Sequence, residues 1–195
     1  FSEETRESVR NDLGIGENTL LLGHIGRFCE AKNHKFLLDI FSSIRERQPD
    51  SRLILVGEGP LCEETQTYAQ KIGVSDYVLF LGSSKTPEKY YNAMDVFVLP
   101  SIFEGFPVVA VEAQANGLYC FFSTEVTKEA KLLDTTMYIP LSDGKEKWAD
   151  AIMNTNLKCN RENGYHVLSE SRYSISKEAK RLFDKYEEFV KRGDR

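Results

Sequence analysis

One run of this chain, Asp95 to Gly117, reads as a buried strand, an exposed loop and an apolar helix, and any fold must accommodate that unit. Asp95-Val-Phe-Val-Leu99 is almost wholly apolar, as suits a strand covered on both faces in a parallel sheet. Pro100 and Ser101 end it. Pro107 fits the first turn of a helix, where its missing N–H costs nothing, and Gly117 fits that helix's end. Glu104-Gly105-Phe106 lie at the join, at the carboxyl end of the strand. Val108, Val109, Ala110, Val111, Ala113 and Ala115 make the helix apolar nearly all round, which predicts burial. Glu112 sits in its middle, and a buried carboxylate is costly without donors around it. One reading leaves Glu104 solvated and Glu112 on a narrow exposed stripe. In the other, favoured here, both acids accept hydrogen bonds from a polyhydroxylated ligand, faced by the N–H groups of Gly105, Phe106 and Val108 at the helix start.

Around this unit, strand and helix alternate. A short helix is expected over 3–12, strands near 19–25, 52–56, 77–81, 95–99, 118–122 and 137–141, and helices near 33–47, 61–72, 87–94 and 145–153. Asn33 is the expected N-cap of the second helix. Residues 154–164 read as a polar loop. A long amphipathic helix follows, with Ile175, Ala179, Leu182, Phe183, Tyr186, Phe189 and Val190 on one side. The fold class expected is α/β: a Rossmann-like parallel sheet of about six strands with helices on both faces.

Candidate ligand groups recur after strands, the edge where open α/β sheets bind ligands. Lys32, His34 and Lys35 crowd a helix start that already carries partial positive charge, an arrangement eased by an anion. Arg27 lies on the same loop, so Arg27 and Lys32 read either as two solvated surface cations or as a clamp for a diphosphate. Gly57-Glu58-Gly59-Pro60 is by itself only a turn. It is not a P-loop, since no Gly-Lys-Ser/Thr follows, and a Gly-x-Gly-x-x-Gly fingerprint is absent.

Glu104, seven residues and Glu112, with Gly-Phe-Pro after the first acid and Ala-Gln-Ala-Asn-Gly after the second, closely resemble the signature of retaining, nucleotide-sugar-dependent glycosyltransferases of the group 1 (GT4) family. Gly26, Arg27 and Lys32 match that family's phosphate-binding positions. The resemblance implies one half of a GT-B fold, the donor-binding half found in bacterial polysaccharide enzymes. It places Gly57 and Gly59 beside the nucleotide, Gly82 near the base, Glu112 on the ribose, and Glu104, Gly105, Phe106 and Pro107 at the sugar. It implies a UDP-, GDP- or ADP-sugar donor, no metal, no other cofactor, and retention at the anomeric carbon. Glu125-Val-Thr-Lys128 departs from the family's usual small-residue turn.

The 195 residues suit one domain, taken as a single donor-binding unit. The start at Phe1 suggests an excised piece. The acceptor, a glycan or lipid-linked sugar, is then expected on an N-terminal domain outside this chain, with the helix at about 174–191 packing toward it, and the piece alone is expected to be inactive. A net charge of −5 argues against nonspecific nucleic-acid binding. No run is long enough to span a bilayer. Cys29, Cys62, Cys120 and Cys159 form no C-x-x-C pair, which disfavours zinc and fits reduced thiols in the cytoplasm, with peripheral contact at the inner membrane surface open to the full enzyme. His24, His34 and His166 have no triad context and read as structural or surface residues. Alternatives are a non-catalytic nucleotide-sugar-binding or interaction module of the same fold, and a GT-B sugar-nucleotide epimerase.

Overall fold

A computed structural model describes residues 1–157, 161–171 and 173–193. Six strands form one all-parallel sheet in the order β3-β2-β1-β4-β5-β6: β1 Leu20–Ile25, β2 Ser51–Val56, β3 Val78–Phe80, β4 Val96–Leu99, β5 Tyr119–Ser123 and β6 Thr136–Ile139. The helices are α1 Glu3–Asp12, α2 His34–Arg47, α3 Cys62–Lys71, α4 Glu88–Ala93, α5 Val108–Ala115, α6 Gly144–Met153, α7 Glu162–Glu170 and α8 Ile175–Gly193. The chain runs outward from β1 through β2 to β3, then returns to place β4 beside β1. The crevice at the carboxyl ends of β1 and β4 is therefore the point where strand order reverses, the place a doubly wound sheet offers a ligand.

Two apolar layers flank the sheet. On one face Leu22, Leu53, Val96 and Val98 pack under Leu37, Leu38, Phe41 and Ile44 of α2 and Trp148 of α6. On the other, Leu21, Ile54, Phe97 and Phe122 pack under Tyr91 of α4 and Ala110 and Ala113 of α5. Alternate residues of each strand feed opposite layers, which is why the strands read as unbroken apolar runs.

Four expectations need correction. Asn33 does not cap α2 with its side chain; it adopts the left-handed conformation (φ 55°, ψ 46°) after a single 3₁₀ turn, Glu30–Lys32. The region read as a loop over 154–164 gives way to α7 at Glu162, and residues 158–160, Cys159 among them, lie outside the described residues. α7 is short and polar, and it is set by backbone contact. A Cβ on Gly164 would lie 2.4 Å from the Gln114 carbonyl oxygen, and one on Gly117 would lie 2.2 Å from that of Arg161.

The third and fourth corrections concern α5. The helix is not buried all round: Val108 is 63% exposed, and Glu112 is exposed rather than sunk in the core. The polar side chain that α5 does bury is Gln114. Its amide nitrogen donates to the carbonyls of Ala110 (2.8 Å) and Ala130 (2.7 Å), and its oxygen accepts from the Leu132 and Leu133 N–H groups and the Thr136 hydroxyl. A neutral amide can be fully satisfied at that depth, whereas a carboxylate would need its charge compensated as well.

Candidate active site

The loop after β1 and the loop after β2 meet back to back. The Phe28 N–H donates to the Glu58 carbonyl (3.0 Å), Leu61 N–H to the Phe28 carbonyl (3.2 Å), and Gly57 N–H to the Gly82 carbonyl (2.7 Å). A Cβ on Gly57 would stand 2.1 Å from the Gly26 carbonyl oxygen, and one on Gly59 would stand 2.4 Å from that of Phe28. Both glycines have positive φ, 143° and 157°. Their absent side chains are what let two main chains touch. Gly82 (φ 67°) closes the third loop, and the Ser83 hydroxyl beside it donates to Glu58 Oε1 at 2.8 Å.

Across the switch point the loop after β1 is tied to the loop after β4. The Ile102 N–H donates to the Ala31 carbonyl at 2.8 Å. Lys32 Nζ donates to Glu104 Oε2 at 2.5 Å, with both side chains largely buried, at 14% and 16% exposure. The Ser101 hydroxyl donates to the same oxygen at 3.2 Å, and the Ser101 carbonyl in turn accepts from the Ser123 hydroxyl at the end of β5. The Glu104 carboxylate is thus held by one cation and one hydroxyl, and a parallel bridge from Glu104 to Val126 anchors its backbone. Gly105 and Phe106 are exposed beside it, and Pro107 caps the first turn of α5. Arg27 projects from the same ledge, exposed and with no hydrogen bond or ion pair among the described residues.

Beneath the Gly26–Lys32 loop lie two buried histidines, in keeping with a structural role. His24 donates from Nδ1 to the Val98 carbonyl (2.8 Å), because a carbonyl can only accept; Nε2 is then the bare nitrogen. His34 stacks on Phe28 (4.1 Å between centroids) and meets His24 edge-on at 4.8 Å. Burial lowers the His24 pKa to about 4 and that of His34 to about 2, with Lys32 adding to both shifts, so both rings are neutral at pH 7. The loop thereby rests on an uncharged aromatic floor, and its positive charge comes from Arg27 and Lys32.

Glu112 lies one helix further along, on α5. Its Oε2 accepts from the Tyr91 hydroxyl at 2.8 Å. The structure therefore brings together Gly26, Arg27, Lys32, Gly57, Gly59 and Gly82 on one side of the crevice and Glu104 through Pro107 on the other, with Glu112 on the helix that follows. The sequence reading missed Ser101, Ser123, Tyr91 and the Glu58–Ser83 contact. A serine directly after a buried strand was the one local hint, for Ser101. Among the described residues no cluster of three or more His, Cys, Asp or Glu side chains is arranged to hold a metal ion, and no helix is long and apolar enough to cross a membrane.

Residues 5–133, which include every one of these site positions, match the family model described as "Glycosyl transferases group 1". The chain belongs to the group 1 glycosyltransferases. Among curated relatives of this group 1 chain, EpsF of Bacillus subtilis (strain 168) is 41% identical over 140 residues, covering 71% of this chain and 36% of EpsF. D-inositol 3-phosphate glycosyltransferase of Corynebacterium kroppenstedtii is 28% identical over 210 residues, covering 98% of this chain and 46% of that protein. The chain thus spans less than half the length of these two relatives. Among solved structures, HepE of Anabaena, in complex with UDP and glucose, superposes with a TM-score of 0.80 at 20% identity, covering 96% of this chain and 53% of HepE. The C-terminal domain of the LpcC glycosyl transferase from Francisella tularensis gives 0.69 at 20% identity, covering 87% of this chain and 93% of that domain. The sheet and helices are those of one half of a GT-B fold.

Proposed function

We propose that this chain is the donor-binding half of a retaining glycosyltransferase that transfers a sugar from a nucleoside diphosphate to an acceptor hydroxyl, in polysaccharide or glycolipid synthesis. The observation that carries the proposal is the Lys32–Glu104 ion pair across the switch point, because it joins the expected phosphate loop to the expected sugar loop. A diphosphate arriving on the ledge competes with Glu104 for the Lys32 ammonium and meets the exposed Arg27 guanidinium beside it. Together the two cations neutralise the diphosphate and stabilise the negative charge that grows on it as the sugar leaves. Glu104, relieved of part of its pairing, accepts hydrogen bonds from hydroxyls of the sugar, and the Gly105 and Phe106 N–H groups donate to the sugar's oxygens. Glu112 accepts from the ribose. Gly57, Gly59 and Gly82 line the nucleotide side. Two cations do the work that a divalent ion does elsewhere, so no metal or other cofactor is invoked. An acceptor glycan or lipid-linked sugar attacks from a second domain, with retention as the family resemblance implies. The UDP seen in HepE and the polysaccharide biosynthesis named for VipC/TviE of Salmonella typhi support the donor and the pathway class.

A thermal-shift screen with UDP-, GDP- and ADP-sugars identifies the base. Calorimetry on Arg27→Ala and Lys32→Ala then tests the clamp: each variant loses about 1–3 kcal/mol of nucleotide affinity, the range for a charge-assisted hydrogen bond. Arg27→Ala is the cleaner of the two, because it leaves no carboxylate unpaired. Nucleotide binding unchanged in both variants overturns the clamp.

A further inference from the structure

Tyr91 sits in α4, 2% exposed, its ring packed edge-on against Phe97 at 5.8 Å between centroids. From there its hydroxyl crosses to α5 and donates to Glu112 Oε2 at 2.8 Å; the Val109 carbonyl is the next acceptor, at 3.5 Å. Glu112 is itself exposed, and its Oε1 has no partner among the described residues. A core side chain is thus tethered to one oxygen of a surface carboxylate while the other carries no partner among the described residues. Burial, and then the neighbouring carboxylate, push the phenol further above its ordinary pKa, so Tyr91 acts only as a donor.

We propose that Tyr91 is a positioning residue for the donor's ribose: its hydroxyl holds the Glu112 carboxylate in the rotamer whose free oxygen accepts from the ribose hydroxyls. This rests on the ribose role given to Glu112 above. A glutamate on a helix surface turns about three side-chain bonds, and capturing it from solution costs entropy at the moment of binding. A hydrogen bond from a buried, rotationally fixed phenol removes much of that cost beforehand.

The test uses the 195-residue chain, the nucleoside diphosphate that binds best among UDP, GDP and ADP, and the 2′,3′-dideoxy form of that nucleotide. Wild type binds the ribonucleotide about tenfold more tightly than the dideoxy form, as one to two hydrogen bonds to a charged group would give. Glu112→Ala brings that ratio close to one. Tyr91→Phe keeps the ring and removes only the hydroxyl; it weakens the ribonucleotide about three- to fivefold and leaves the dideoxy nucleotide unchanged. The double variant behaves like Glu112→Ala alone, since Tyr91 acts only through that carboxylate. Equal weakening of both ligands in Tyr91→Phe shows a merely structural tyrosine and overturns the inference. So does an unchanged ratio in Tyr91→Phe alongside a lost one in Glu112→Ala, a result that leaves the ribose contact standing. An unchanged ratio in Glu112→Ala, with affinity still lost in Arg27→Ala, overturns the ribose role and this inference together but leaves the phosphate site intact. If none of the three nucleotides binds, the donor site and the inference both fall.

Discussion

Helices α2 and α8 look alike in the amino-acid sequence and end in opposite circumstances. Each carries aliphatic and aromatic residues at helical spacing on one side and charges on the other. In α2 that side disappears into the sheet: Leu37, Leu38, Ile40, Phe41 and Ile44 have no exposed surface. In α8 it faces outward, with Ile175 at 86% exposure, Phe183 at 62%, Phe189 at 67% and Val190 at 66%. An amphipathic pattern states that a helix has a side made for burial. It does not state whether the burying surface lies in the same stretch of chain. The loop–helix unit that builds the site depends on α2, and among the described residues α8 contributes no side chain to the two core layers.

This contrast can be broken by substitution. Phe41→Ala in α2 removes a fully buried ring and costs about 3–5 kcal/mol, to be read from urea unfolding. A loss below about 1 kcal/mol would mean that α2 is not the clamp on that face. The two buried histidines, His24 in β1 and His34 at the start of α2, give a second effect, one that grows with acid. His24 and His34 are neutral when folded, with pKa values near 4 and 2, and titrate near 6.5 when unfolded. Below pH 6.5 the unfolded chain binds more protons than the folded one, so stability is lost as pH falls from about 6.5 toward 4. The limiting slope is about 1.4 kcal/mol per pH unit for each histidine. His34→Phe, which keeps a ring against Phe28, shallows the slope of melting temperature against pH over that window; an unaltered slope would place the titration elsewhere. The smallest effect belongs to α8, where Phe183→Ala or Phe189→Ala changes unfolding free energy by less than about 0.5 kcal/mol in this chain. A larger loss would show that α8 shares the core after all.

Much of this architecture can be read from local pattern, and the exceptions have a common cause. The runs at β1, β2, β4 and β5 were legible because strands buried on both faces need no alternation, only length and apolar content. α7 was not legible, because Gly164 and Gly117 fit it against α5 by letting backbones meet, and backbone proximity leaves no hydrophobic period. The burial of α5 was misjudged for a related reason. Composition made all its sides equivalent, and only the packed sheet assigns Gln114 inward and Glu112 outward. In the site, Arg27, Lys32, Glu104 and Glu112 stood out as charges at strand ends or in apolar surroundings. Ser101 and Tyr91 did not, since a hydroxyl is unremarkable in sequence until the carboxylate it serves is known, and for Tyr91 that carboxylate lies 21 residues away.

The seam where Gly57 and Gly59 press against Gly26 and Phe28 has a mechanical consequence. Two turns in van der Waals register through their main chains, with no side chain as a cushion, move as one plate. Lengthening either turn by a residue would shift the other, and with it the footing of Arg27. The spacing between the cationic shelf and the glycine side of the crevice is therefore fixed by the thickness of the peptide backbone, the one dimension of a protein that substitution cannot change.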